Sequence, residues 1–142
     1  MLGNLKVRLG IGAAIVVLAV GSGGAAFGAA PTATVSPFRG LINGQTVWVS
    51  GRHFPAGDTV AIVQCNGNAA TQGQAACDIS HPRLVGVTKY GHVPARSYAV
   101  VTGTIGTGAG AGPCDSKHPC VIVVADIANQ AVNAAVPIFF AA

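Results

Sequence analysis

Apolar and polar side chains alternate along most of this chain in short runs, and turn residues separate the runs. A period of two belongs to β-strands, whose successive side chains point to opposite faces. Residues 32–36 form a first strand, ended by Pro37, and Asn43 and Gly44 make a turn. Thr46, Val47, Trp48, Val49 and Ser50 alternate up to Gly51, and a second turn spans residues 55–58. Residues 59–65 are β-branched and apolar, as in a buried strand, and residues 66–76 read as a polar loop. Strands follow at 84–89, with a turn at Tyr90 and Gly91, and at 97–105. The Gly/Ala-rich stretch 106–113 reads as a flexible loop, residues 121–125 as an unbroken apolar strand, and residues 132–140 close the chain. Helix signals are almost absent. Seven short strands with turns between them predict an all-β, immunoglobulin-like sandwich.

The last strand carries the clearest pattern. Val132, Ala134, Val136, Ile138 and Phe140 share one face and are expected in the core. Pro137 has no backbone N–H, which predicts an edge strand or a local gap in pairing. Phe139 and Trp48 fall on the opposite faces of their strands and are candidate exposed contact residues.

The N-terminus has a different grammar. Lys6 and Arg8 precede a twelve-residue apolar run, residues 9–20, and small residues follow as far as Ala30. This is the layout of a secretory signal peptide, with Ala26-Phe27-Gly28 as the cleavage site, so residues 1–28 are assigned to the signal and 29–142 to the domain. The alternative is a retained anchor at the cell envelope, for which the apolar run falls short of the ~20 residues of a spanning helix. Only in that case would the protein associate with a membrane.

All four cysteines, Cys65, Cys77, Cys114 and Cys120, lie beyond the signal. An even count in an exported domain reads as two disulfides. Three connectivities are open. Cys65–Cys77 with Cys114–Cys120 is favoured, because each pair closes a short loop between strand-like runs. The C-x11-C and C-x5-C spacings do not match zinc motifs, so no metal is expected.

Charge narrows the function classes. Beyond residue 28 the basic residues are Arg39, Arg52, Arg83, Lys89, Arg96 and Lys117 and the acidic ones Asp58, Asp78, Asp115 and Asp126, a net +2. So few scattered charges make no phosphate-tracking stripe, and direct nucleic-acid binding by the protein is not expected. No nucleophile elbow, paired catalytic carboxylates or His-x-x-x-His spacing occurs, and His53, His81, His92 and His118 fall in or near loops. An enzyme is not expected; one would need a loop-borne His and Asp to meet beside a cleft.

The chain resembles the neocarzinostatin family, the apoproteins of enediyne antibiotic chromoproteins, over essentially its whole length beyond the signal. The likeness rests on Ala29-Ala30-Pro31-Thr32-Ala33-Thr34-Val35-Ser36-Pro37, Gly40-Leu41, Val47-x-Val49-x-Gly51, Gln64-Cys65, Gly91, the cysteine framework, and Val136-x-Ile138-x-Phe140. The resemblance implies a secreted carrier that binds and protects a small apolar molecule, in the family a non-covalently held enediyne chromophore; a monomer is expected. Antibiotic, antimicrobial and DNA-cutting properties would belong to that chromophore. The ligand cleft it implies is lined by Val63, Cys65, Cys77, Val121, Val123 and Ala125.

Several positions depart from the family pattern. Gly67 and Pro82 stand where aromatic side chains are common, and the loop before Cys114 is short and lacks aromatics. Val63 and Val123 replace glycines and Ala125 a serine. Stacking partners are fewer and the cleft floor is higher. The competing reading is a non-catalytic cell-envelope interaction module that has kept the fold and lost the chromophore site.

Overall fold

A computed structural model of the protein describes residues 29–142. The signal-peptide assignment for residues 1–28 lies outside the described residues. Among them, no helix is long and apolar enough to cross a membrane.

Among the described residues, nine strands run in chain order: β1 (Thr32–Ser36), β2 (Thr46–Arg52), β3 (Thr59–Cys65), β4 (Arg83–Gly86), β5 (Val93–Ala99), β6 (Gly103–Ile105), β7 (Gly112–Cys114), β8 (Cys120–Asp126) and β9 (Asn133–Ile138). Seven build the sandwich. One sheet has the order β9-β8-β3-β4 and the other β1-β2-β5, all neighbours antiparallel. The remaining two, β6 and β7, pair as a separate ribbon. Both disulfides take the favoured connectivity, Cys65–Cys77 and Cys114–Cys120.

The core lies between the sheets, where Val47 and Val49 of β2 meet Val60 and Ile62 of β3, Ile122 and Val124 of β8, and Ile138 of β9. The alternation in β9 is the expected one: Ile138 and Phe140 are buried, and Val132, Ala134 and Val136 pack half-buried against the core. β9 is an edge strand, so Pro137 withholds no N–H from a second neighbour. Trp48 is exposed, whereas Phe139 is half-buried.

Three sequence readings are corrected. The single strand expected at 97–105 is two strands, and the first begins earlier, at Val93. The break falls where Val100, Val101 and Thr102 give their N–H groups to the Gln45 carbonyl, Gln64 Oε1 and Asn43 Oδ1 instead of to a strand. The strand expected at 84–89 ends at Gly86, because Val87 N–H turns to the Asp58 carbonyl and Thr88 N–H to that of His92. This tight turn needs Gly91: its φ is +81°, and a Cβ there would stand 2.9 Å from the Phe54 carbonyl oxygen. Finally, the loop 66–76 contains a short helix, α1 (Ala69–Gln72), and a 3-10 turn (Gly73–Ala76). Asn66 starts it by accepting the Asn68 N–H on its side-chain oxygen.

Candidate functional site

The four-stranded sheet turns Val60, Ile62, Gln64, Ile122 and Val124 inward, so the intervening residues face out. Register then assembles the predicted cleft residues. Cys65 lies beside Val121, Val63 beside Val123, and Ala61 beside Ala125. The next strand continues the rows, with Pro137 beside Val121 and Ala135 beside Val123, and Leu84 of β4 lies beside Ala61. The outer face is thus apolar from edge to edge apart from Asn133 and Thr59 at the end away from Cys65. Val63, Val121, Val123 and Ala125 are half-buried, Cys65 is fully buried, and Cys77 is bonded to it. All six cleft residues meet on or against this one face.

The loop 66–76 rises from the Cys65 end of the face. At the other end stands the turn between β8 and β9. Gln74 Nε2 donates to Gln130 Oε1 at 2.5 Å and so links the loop to the turn. Four residues of strand separate these ends, about 13 Å.

Two buried amides hold the loop and ribbon beside the face. Gln64 Nε2 donates to the Val101 carbonyl at 2.8 Å, and its Oε1 accepts the Val101 N–H at 2.9 Å. Asn66 Nδ2 donates to the carbonyls of Ile105 and Gly110 at 2.6 and 2.8 Å. Tyr98 adds a third tie, its hydroxyl accepting the Gln64 N–H at 3.0 Å. Burial pushes that phenol's pKa up, which keeps it protonated and able to donate to the His81 carbonyl.

The stretch 106–113, read from sequence as flexible, is packed. Thr107 N–H donates to the Ala75 carbonyl, and a Cβ on Gly110 would stand 2.5 Å from the Ala75 carbonyl carbon. Its glycines permit close contact with the loop 66–76. Gly67 and Pro82, where the family pattern has aromatics, are exposed.

His81 and His118 do meet carboxylates. Ser80 Oγ donates to Asp78 Oδ1 at 2.8 Å, and His81 Nδ1 lies 3.1 Å from Ser80 Oγ and 3.2 Å from both Asp78 oxygens. A Ser-His-Asp relay needs hydroxyl and carboxylate at opposite ring nitrogens. Here both converge on Nδ1, within a four-residue turn, so the group caps a turn. Burial pulls the Asp78 carboxyl up, but hydrogen bonds from Ser80 and His81 outweigh it and hold the pKa below its usual value. His118 Nδ1 to Asp115 Oδ1, 2.8 Å, repeats the arrangement, and that bond with the Lys117 N–H lowers the Asp115 pKa. Among the described residues, no three His, Cys, Asp or Glu side chains converge as metal ligands would.

Sequence reading missed the buried amide of Asn66, the Gln74–Gln130 link and a cluster of Phe38, Arg39 and Phe139. The signal for the first was available: a polar amide directly after a buried strand wants a specific partner.

Comparison with known proteins gives a consistent picture. The neocarzinostatin family model matches residues 33–140. The structure of macromomycin is similar at a TM-score of 0.62 and 27% identity, covering 79% of this chain and 100% of that one. The solution structure of apokedarcidin is similar at a TM-score of 0.54 and 28% identity, covering 79% of this chain and 99% of that one. No curated protein matches the sequence.

Proposed function

We propose, from the premise that the chain belongs to the neocarzinostatin family, that it is a secreted, non-catalytic carrier holding a small apolar molecule against the outer face of its four-stranded sheet. The observation that carries this reading is the composition of that face. The solvated face of an antiparallel sheet is normally polar, because its strands turn their apolar side chains to the core. Here Leu84, Ala61, Val63, Val123, Val121 and Pro137 present an apolar surface, and exposed apolar patches of this kind mark binding sites. The loop closed by Cys65–Cys77 and the ribbon wall one end of it.

In the family such a guest is an enediyne chromophore, and DNA cutting and antibiotic action are that guest's chemistry. Protection follows from a wall that excludes water and thiols from a reactive molecule. With Val63 and Val123 on the floor, the guest rests on branched aliphatic side chains. Dispersion and area burial would then supply its affinity, with little ring stacking.

A neutral fluorescent apolar probe, N-phenyl-1-naphthylamine, tests the site. Its emission should rise on binding, and Val123→Glu should weaken binding about tenfold or more by burying a charge beneath the guest. Unchanged binding by a folded Val123→Glu variant would overturn the assignment.

A further inference from the structure

A concave site lies away from this face, between the edge strands of the two sheets. It is a groove of about 390 Å³ lined by Ala33, Thr34 and Val35 of β1, Val136 and Pro137 of β9, and the cluster of Phe38, Arg39 and Phe139. Only Pro137 belongs to both places. The volume falls in the range of small-molecule pockets.

Its mouth is built rigidly. Phe139 N–H donates to the Phe38 carbonyl at 2.9 Å, and Leu41 N–H to the Phe139 carbonyl at 3.1 Å. These bonds hold the two rings edge to face, centroids 6.5 Å apart. The Arg39 guanidinium lies over both, 5.0 Å from the Phe38 centroid and 4.7 Å from that of Phe139. A cation over a ring face is held by the ring's quadrupole, a contact that uses none of the guanidinium's N–H groups as hydrogen-bond donors to another group. Among the described residues, both ion pairs are made by histidines, Arg39 has no carboxylate partner, and no acidic side chain lines the groove.

We propose that this groove is a binding site for a small molecule with an apolar body and a single carboxylate. The body would lie along Ala33, Val136 and the two phenylalanines. The carboxylate would take the paired N–H groups of Arg39, the geometry guanidinium groups favour. A guest of this class could occupy the groove while the outer sheet face holds another molecule.

The test is a titration of the isotope-labelled, disulfide-intact protein with decanoate, followed by amide NMR, beside decan-1-ol as the neutral counterpart. Decanoate should saturate and shift the amides of residues 33–39 and 136–139, and decan-1-ol should bind at least about tenfold more weakly. Arg39→Ala should reduce decanoate affinity to the level of the alcohol and leave the alcohol unchanged. Thr34→Trp, which adds bulk from an exposed lining position, should block both while leaving N-phenyl-1-naphthylamine binding intact. Equal binding of acid and alcohol, shifts confined to β3 and β8, or no saturable binding would each overturn the proposal.

Discussion

Gln64 and Val101 exchange two hydrogen bonds, so a side-chain amide pairs with a backbone amide as a neighbouring strand would. The pair fixes where the chain leaves β5 for the ribbon. Gln64→Leu keeps the volume but leaves the Val101 N–H and C=O without partners. Each such group costs about 1–3 kcal/mol when buried; Val101 is half-buried, so urea unfolding should show a loss in the lower part of the summed range, about 2–4 kcal/mol. A loss under about 0.5 kcal/mol, the usual size for a neutral surface change, would contradict this role.

Gly110 should tolerate no side chain. A Cβ there would stand 2.5 Å from the Ala75 carbonyl carbon, well inside van der Waals contact, so Gly110→Ala must push the loop 66–76 away from the ribbon. Overpacking of this kind costs about 1–3 kcal/mol. Probe affinity should fall as well, because the displaced loop walls the outer face. Equilibrium unfolding and N-phenyl-1-naphthylamine titration read the two effects separately.

Asp58 and Asp126 give the stability of the domain a pH dependence. Asp126 is fully buried; its Oδ1 accepts the Ala128 N–H, its Oδ2 has no hydrogen-bond partner among the described residues, and a protonated Asp58 carboxyl can hydrogen-bond to the Asp126 carboxylate. The hydrogen bond to Asp126, then burial, then the charge of Asp126 raise the Asp58 pKa. The folded protein therefore keeps a proton that the unfolded chain releases. Stability should fall as pH rises from the ordinary aspartate value through the raised one. Asp58→Asn supplies a permanent donor and should flatten that slope in urea midpoints measured across the interval.

Asp78 and Asp115 act in the opposite sense. Their lowered pKa values mean that the folded form favours the carboxylate. The stability they contribute is present above the ordinary aspartate value and declines as pH drops through the lowered ones. Asp115→Asn should remove its share of the acid-side decline and leave the slope assigned to Asp58 in place.

The two disulfides should differ in weight. Cys65 and Cys77 are 12 apart in sequence, Cys114 and Cys120 only 6. Loop-closure entropy puts removal of the first at about 3 kcal/mol and the second at about 2 kcal/mol. Replacing Cys65 and Cys77 together with serine should also impair probe binding, since that bond ties the loop to the end of the outer face. Paired unfolding and binding measurements on both double variants check the ranking.

The sandwich was legible because its strands alternate, and β9 with its edge-marking Pro137 shows the pattern most cleanly. What the alternation could not show were partners distant in sequence. The break at Val100–Thr102 depends on Asn43, Gln45 and Gln64, and nothing local marks it. The glycines at 106–112 looked like freedom, whereas Gly110 is a close contact with Ala75, more than thirty residues earlier. The outer-face residues came from family likeness, and strand register then placed Val63 beside Val123 and Cys65 beside Val121. The groove was invisible because Arg39 and Phe139 come from opposite ends of the domain; as a sequence feature, Arg39 was one scattered basic residue.

Native mass spectrometry of the protein taken from its host's culture medium, kept dark and cold, tests the carrier reading most directly. The expected spectrum contains a species with the added mass of one small organic molecule, released on denaturation while both disulfides stay closed. A bare polypeptide with both disulfides intact under every growth condition would contradict it. The chain would then be an envelope module that has kept the fold without the guest.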